Sequence, residues 1–138
     1  MINRVLKNLI DNISKIPSLS RRNSENIALF LLSNRECSRA IADSLNESLD
    51  KVKKCKLCNN FSLKDICKIC ENPSRDNIIC VVQDVKNLVK IEKSNSYNGR
   101  YHIIGGKIQP ISNIEPKDLD IERLIERLSK GEAYELVI

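Results

Sequence analysis

Four of the six cysteines of this 138-residue chain lie between residues 55 and 70, in the stretch CKLCNNFSLKDICKIC. They form two C-x-x-C pairs with eight residues between them. One C-x-x-C turn presents two thiolates to an ion, and two facing turns complete the tetrahedral coordination that Zn²⁺ prefers. We therefore predict one zinc ion per chain, with the ligands Cys55, Cys58, Cys67 and Cys70.

This predicted zinc site is expected to be structural. Four protein ligands leave no coordination position for water or for a substrate. A redox dithiol and a pair of disulfides are the competing interpretations, but a redox C-x-x-C normally stands singly at the start of a helix. In a short, loop-rich segment the ion would supply much of the free energy of folding.

Structural roles are also predicted for several residues outside the cysteine cluster. Cys37 and Cys80 are expected to be small buried hydrophobic side chains. His102 has no second ligand at a useful spacing, so a metal or catalytic role is disfavoured. The pair Gly105-Gly106 could contact a phosphate, but two adjacent glycines more often form a turn.

The segment before the cysteines predicts three helices. Apolar residues recur at helical spacing from Ile2 to Ile16, and Pro17 is expected to end this first helix. Two further helices are predicted from about Asn23 to Leu32 and from about Glu36 to Val52. These three helices make up a helix-hairpin-helix-like module.

The pattern changes after the cysteines. Strands are predicted at Ile78–Val82, Tyr101–Ile104 and Tyr134–Ile138, with helices at Val85–Ile91 and Leu119–Leu128. Strands that alternate with helices are typical of a parallel sheet with crossover helices. The predicted fold class is therefore α+β in several parts: a helical module at 1–54, a four-cysteine zinc finger at 55–74 and a partial α/β domain at 75–138.

The charge of the chain is unevenly distributed. Residues 1–70 carry 13 of the 23 basic residues but only 7 of the 18 acidic ones, so the net charge of +5 arises in this half. Such an excess indicates contact with a polyanion, although a solvated face is the simpler alternative. The absence of Trp and the low aromatic content argue against a rich base-stacking surface. No segment has the apolar length of a signal peptide or membrane span, so a cytoplasmic location is expected.

The order of these parts resembles the RecR family of bacterial recombination mediators. The resemblance covers the whole chain, and its distinctive stretches are the finger with Asn72-Pro73, the strand Ile79–Val82 and Gly99-Arg100-Tyr101. It implies a helix-hairpin-helix, a zinc finger and a Toprim domain. It also implies a non-catalytic, homo-oligomeric clamp around DNA. In that family the clamp acts with RecO and RecF to load recombinase onto gapped DNA.

The DNA-contacting turn of that family is glycine-rich, in the pattern P-G-V-G-P-K. Here the matching residues are Pro17-Ser18-Leu19-Ser20-Arg21-Arg22, so the close backbone approach that glycine permits is in question. The resemblance implies DNA contact by Arg22, which matches the family's lysine, and Arg21 adds a second charge. Lysines beside the finger are predicted to extend this DNA-binding surface: Lys53, Lys54 and Lys56.

The predicted α/β domain departs from the Toprim pattern at Gln83. A glutamate stands there in Toprim domains, and an amide can neither carry its charge nor transfer its proton. Asp84 follows, but on an extended strand it would point to the other face. Both features disfavour a Toprim-type primase, topoisomerase or nuclease, which needs several acidic groups around Mg²⁺. Because the family continues beyond Ile138, a degenerate, truncated fragment with a folded finger and impaired DNA clamping is the alternative.

Overall fold

The computed structural model describes residues 3–105 and 120–138, which divide into two compact units. The first unit is Met1–Asp50 and the second is Lys51–Ile138. Each unit has a hydrophobic core of its own. The three-domain division at residues 54 and 74 stays a prediction.

The first unit consists of three helices, α1 at Arg4–Ile13, α2 at Arg21–Ser33 and α3 at Arg35–Lys51. Helix α1 begins after Asn3, whose side chain accepts a hydrogen bond from the backbone of Leu6 and so caps the helix. The core of this unit lies between α1 and α2 and contains Ile10, Ile13 and Ala28. Helix α1 ends at Ile13, earlier than the predicted end at residue 16, because residues 14–18 form turns before and around Pro17. Ile2, where the prediction began, lies outside the described residues.

Helix α3 has the predicted apolar stripe but contributes no buried residue. Ile41, Leu45 and Leu49 are each more than half exposed. The prediction that Cys37 is buried was wrong, since its side chain is exposed on this helix. Helical periodicity identified the apolar face, but it carries no information about what covers that face.

The second unit is built on a three-stranded parallel sheet, as predicted. Its strands are β3 at Ile78–Val82, β4 at Arg100–Ile103 and β5 at Glu135–Val137, in the order β4-β3-β5. Helix α5 at Val85–Ser94 connects β3 to β4, and helix α6 at Ile121–Ser129 precedes β5. The predicted helix that includes α6 began at Leu119, which lies outside the described residues.

Three short elements precede this sheet and were not predicted. They are the two strands of a hairpin, β1 at Lys53–Lys54 and β2 at Phe61–Ser62, and the single-turn helix α4 at Lys68–Glu71. Two-residue strands are too short to show the alternation of apolar and polar residues by which strands are recognised.

The core of the second unit lies between the sheet and α5. In register, Cys80 of β3 lies opposite Tyr101 of β4 and Val137 of β5. Cys80 is buried, which confirms its predicted role, and this burial raises the pKa of its thiol. The buried residues of this core are Cys80, Val82, Leu88, Tyr101 and Ile103.

A partly buried ion pair, between Arg75 and Glu92, joins the segment after α4 to helix α5. Both terminal nitrogens of the Arg75 guanidinium donate to the Glu92 carboxylate, at 2.8 and 2.7 Å. The hydroxyl of Tyr101 donates to the same carboxylate at 2.7 Å. The bonds from Arg75 lower the pKa of Glu92. A bidentate arginine–carboxylate pair fixes orientation as well as distance, so residue 75 is held against α5 and β4.

Position 99 requires glycine. A Cβ atom there would lie 2.7 Å from the carbonyl oxygen of Ile78 and closer still to the ring of Tyr97. The hydroxyl of Tyr97 is within hydrogen-bonding distance of the carbonyl oxygens of Ile78 and Arg100, at 3.0 and 2.8 Å. A side chain at position 99 would collide with Tyr97 and with the Ile78 backbone. Glycine is therefore needed immediately before Arg100 and Tyr101, the first two residues of β4.

The turn between α1 and α2 contains two serines with different backbone conformations. Ser18 has a φ of 69°, in the left-handed region that favours glycine. Ser20 has a φ of −74° and is the N-cap of α2, where its hydroxyl accepts a hydrogen bond from the Asn23 backbone at 3.1 Å. Ser20 therefore suits its position, whereas Ser18 occupies a conformation that costs an L-residue roughly 1–2 kcal/mol.

We expect Ser18→Gly to raise the free energy of unfolding by about 0.5–1 kcal/mol, because glycine relieves the left-handed strain and loses part of that gain to backbone entropy. Ser20→Ala is the matched control and should lower stability by about 1 kcal/mol, since the cap is lost. Urea unfolding followed by far-UV circular dichroism measures both. A destabilised Ser18→Gly variant would contradict the assignment of strain to this turn.

Candidate metal centre and nucleic-acid interface

The structure brings all four predicted zinc ligands together. The sulfur atoms of Cys55, Cys58, Cys67 and Cys70 all lie within 4.8 Å of one another. The first three cysteines are buried and Cys70 is half-buried. Apolar side chains of Leu57, Ile66 and Ile69 pack against the cluster and limit access of solvent to it.

Each C-x-x-C pair is shaped by local backbone hydrogen bonds. In the first pair, the Cys55 amide donates to the Asn60 carbonyl at 2.7 Å and the Asn59 amide donates to the Cys55 carbonyl at 3.0 Å. Asn59 has a φ of 65°, which asparagine tolerates better than most residues. The second pair begins α4, with Cys67 at its N-cap. The Cys67 amide donates to the sulfur of Cys55 at 3.3 Å and so joins the two pairs.

The electrostatics of the cluster favour a bound cation. The sulfurs of Cys58 and Cys67 are 3.5 Å apart, and their hydrogen bond raises the pKa of Cys58 to about 12. The same hydrogen bonding lowers the pKa of Cys67. Four thiolates at such separations repel one another unless a cation lies between them. A sulfur-only, nearly closed donor set of this kind fits Zn²⁺.

The first C-x-x-C pair is attached to the parallel sheet. The Ile103 amide of β4 donates to the Cys58 carbonyl at 2.9 Å, and the Asn59 side chain donates to the Ile103 carbonyl at the same distance. A terminal nitrogen of Arg127 donates to the Leu57 carbonyl at 3.2 Å. The first C-x-x-C turn is therefore hydrogen-bonded to β4, an edge strand of the three-stranded sheet.

Arg127 is a structural residue that the sequence analysis missed. Its side chain is buried, pairs with Glu132 at 2.8 Å and also donates to the Tyr101 carbonyl at 2.8 Å. The sequence contained one indication that Arg127 is buried. It stands three residues after the apolar Leu124 and so lies on the same face of the helix. A buried arginine must find acceptors, and here they come from several segments of the second unit.

His102 is hydrogen-bonded within the second unit through both ring nitrogens. Its ring is fully buried, and burial lowers its pKa, so the neutral form is favoured. Arg127 approaches His102 Nδ1 at 3.3 Å, and because a guanidinium only donates, Nδ1 is the acceptor. Nε2 therefore carries the proton and donates to the Asp120 carbonyl at 2.7 Å. Both ring nitrogens are thus satisfied within the fold.

The three lysines predicted to bind DNA differ in their surroundings. Lys53 and Lys56 both pair with Asp65, at 2.7 and 2.6 Å, and they lower the pKa of that carboxyl to about 2. Lys54 is exposed and forms no ion pair within the part of the chain that the structure describes. The positive charge of the finger is therefore partly compensated at Lys53 and Lys56 but not at Lys54.

The two predicted DNA-binding arginines at the start of α2 also differ. Arg21 pairs with Asp11 and, at 3.5 Å, with Glu25, and the hydrogen bond that it donates to Asp11 raises the pKa of Arg21. Arg22 is exposed and has no ion-pair partner among residues 3–105 and 120–138. Arg22 is therefore the cation of this pair that is available to a ligand.

The amide side chain of Gln83 lies at the position where the resemblance predicted a Toprim glutamate. Gln83 follows directly after β3, and Asp84 is the N-cap of α5. The Asp84 carboxylate accepts a hydrogen bond from the Asn87 backbone at 2.8 Å. Asp84 therefore caps the first turn of α5.

Comparison with known proteins places the sheet and the metal centre in a family. Residues 77–138 match the Toprim domain, so the second unit is a Toprim-containing module with a four-cysteine cluster before its first parallel strand. The chain is also 40% identical to the recombination protein RecR of Tropheryma whipplei strain TW08/27, with 98% of this chain and 69% of that protein covered.

Relatives from other organisms give the same result. The recombination protein RecR of Frankia alni is 37% identical, with 100% of this chain and 70% of the relative covered. That of Hyphomonas neptunium is 40% identical, with 96% and 67% covered. The chain belongs to the RecR family, and this membership supports a role in recombinational repair.

No helix within residues 3–105 and 120–138 combines the length and the apolar character that crossing a bilayer requires.

We expect Cys58→Ser to abolish binding of one zinc per chain and to unfold the finger, because three thiolates no longer close the coordination shell and the bond to β4 loses its support. The α1–α2 core, which contains none of these residues, should stay folded. Native mass spectrometry measures zinc content, and limited trypsin digestion at the finger lysines measures its opening.

Cys37→Ser is the control for this experiment, since Cys37 is an exposed thiol outside the cluster. It should retain one zinc and wild-type protease resistance. A Cys58→Ser protein with stoichiometric zinc and unchanged thermal stability would show that the cluster is not the metal site.

Proposed function

We propose that this chain is a non-catalytic, DNA-binding mediator of recombinational repair. In this proposal it acts with RecO- and RecF-type proteins to help load recombinase onto gapped DNA in the bacterial cytoplasm. The observation that carries the proposal is its 40% identity to a recombination protein RecR over 98% of the chain. The cysteine cluster and the exposed cations support it from the structure.

The metal in this proposal is one structural Zn²⁺, bound by Cys55, Cys58, Cys67 and Cys70. The ion would fix the hairpin that carries Lys53 and Lys54, and through the Cys58 carbonyl it would also fix the hairpin against β4. A small finger whose ligands come from two short turns has little core of its own, so the ion supplies its stability.

DNA binding is assigned to the cations at the start of α2 and beside the finger, namely Arg21, Arg22, Lys53, Lys54 and Lys56. Each phosphate that such a side chain neutralises releases counterions and makes the affinity dependent on salt. Arg22 and Lys54 should contribute most, because both lack an intramolecular counter-ion among the described residues. Arg21, Lys53 and Lys56 must exchange a carboxylate partner for phosphate.

The absence of catalysis in this proposal rests on Gln83 and Asp84. Toprim-type chemistry on nucleic acid needs several carboxylates that hold Mg²⁺ near the end of the first parallel strand. Gln83 offers a neutral amide there, and Asp84 is engaged in capping α5. Asp120, a further carboxylate at this edge among the described residues, accepts a hydrogen bond from Asn59 and lies 3.4 Å from Arg123.

We also propose that the chain works as a homo-oligomer. The exposed apolar stripe of α3, formed by Ile41, Leu45 and Leu49, supports this assignment. A stripe of this kind in a folded domain indicates a surface that another element covers.

Native mass spectrometry of the zinc-loaded chain, with and without a gapped duplex, tests the proposed function. We expect an oligomer that carries one zinc per subunit and retains the duplex, because clamping requires both assembly and folded fingers. A duplex without a gap is the control for structure preference. A zinc-loaded monomer that does not bind DNA would contradict the mediator assignment and support a degenerate fragment in its place.

We expect Arg22→Ala to weaken DNA binding and to reduce the slope of log affinity against log salt by about 0.9, the value for one phosphate contact on duplex DNA. Arg21→Ala should have a smaller effect, because Asp11 and Glu25 already compensate that charge. Fluorescence anisotropy between 50 and 200 mM salt, with gapped DNA, measures both.

Arg22→Lys is the matched control, since it keeps the charge and should keep the salt slope. The double variant Arg21→Ala with Arg22→Ala should combine the two losses. An unchanged slope in the double variant would remove these arginines from the DNA-binding surface.

A further inference from the structure

A cavity of about 530 Å³ lies between the finger hairpin and the carboxyl ends of β3 and β4. It belongs entirely to the second unit, and its volume is in the range of small-ligand sites. Its floor contains the apolar side chain of Ile103, and the groups that could recognise a ligand are Lys54, Asn59, Phe61, Gln83 and Arg123. The carboxyl ends of parallel strands are the usual position of ligand sites in open α/β sheets.

The hairpin side of this cavity pairs an aromatic ring with a cation. Lys54 of β1 lies directly opposite Phe61 of β2 in an antiparallel pair, so both side chains are on the same face. Phe61 is 61% exposed, which is unusual for so large an apolar side chain. An aromatic ring exposed beside a lysine is an arrangement with which proteins bind single-stranded nucleic acid.

The charges around the cavity permit a phosphate to enter. Asp120 is paired with Arg123 at 3.4 Å, and the Asp84 carboxylate lies at the N-terminus of α5, where the helix dipole offsets part of its negative charge. Lys54 forms no ion pair within residues 3–105 and 120–138, and Gln83 carries no charge. The Gln83 amide, half-buried at the cavity wall, can both donate to and accept from the edge of a base.

We propose that this cavity binds one nucleotide of a single DNA strand. The base stacks on Phe61, its phosphate contacts Lys54, and the Gln83 amide faces the base edge. This inference rests on the proposed function and adds to it a site for the single-stranded part of a gapped substrate. A peptide is a poorer occupant, because an aromatic ring, a lysine and two amides match the face, the phosphate and the edge of a nucleotide.

The test measures binding of a fluorescein-labelled oligothymidylate and of a gapped duplex to the full, zinc-loaded chain. Phe61→Ala should weaken binding of the oligothymidylate by roughly 5- to 100-fold, the range for loss of one base–aromatic stack. The salt slope should not change, because stacking neutralises no phosphate. Lys54→Ala should instead reduce the salt slope by about 0.7, the value for one phosphate of a single strand.

Two further variants make the test specific. Leu63→Ala is the matched control, because Leu63 is also an exposed apolar residue of the finger and does not line this cavity. It should leave the affinity unchanged, and Phe61→Trp should retain or increase it. Gln83→Glu has the same shape but adds a negative charge, so it should weaken binding severalfold, and more strongly at low salt.

The outcomes separate this inference from the function on which it rests. A wild-type chain that binds neither DNA probe overturns both. A wild-type chain that binds gapped DNA, with Phe61→Ala and Gln83→Glu binding equally well, overturns only the cavity assignment. Saturable binding of free thymidine monophosphate with an affinity equal to that of the oligonucleotide would show a mononucleotide site and overturn the assignment to a strand.

Discussion

Mutual repulsion among four cysteine sulfurs is the constraint on which the second unit depends. Sulfurs within 4.8 Å of one another cannot all be ionised without a cation between them. The same cluster fixes the turn from which the Cys58 carbonyl accepts the Ile103 amide of β4. Binding of the proposed zinc ion would therefore couple folding of the finger to the edge of the parallel sheet through one short stretch of backbone.

The parts of the fold that follow from local chemistry could be predicted from the sequence. The clustering of the four cysteines could be predicted from their spacing in the sequence, since two C-x-x-C turns can satisfy one tetrahedral ion. The parallel sheet came from the β-branched run Ile78–Val82 and the alternation of strands with helices. Cys80 was also predicted correctly as a buried residue, because it lies within that apolar run.

The parts that depend on contacts between distant segments could not be predicted. Cys37 lies on a clear apolar face of α3, yet it is exposed, because periodicity does not reveal whether another surface covers that face. The finger is also tied to the sheet through Arg127 of α6, which donates both to the Leu57 carbonyl, 70 residues away in sequence, and to the Tyr101 carbonyl of β4. A buried arginine in an amphipathic helix suggests such a partner, but the sequence does not identify it.

The DNA-binding assignment shows why a count of basic residues is an incomplete measure of positive potential. Lys53 and Lys56 appear equivalent to Lys54 in the sequence, but the structure places Asp65 between them at hydrogen-bonding distance. Arg21 is compensated by Asp11 in a similar way. A phosphate bound there would compete with those carboxylates, whereas Arg22 and Lys54 have no ion-pair partner within the described residues 3–105 and 120–138. In the proposed function, the cations that lack a partner among the described residues therefore matter more than the total number of basic residues, and Phe61 lies opposite one of these cations, Lys54.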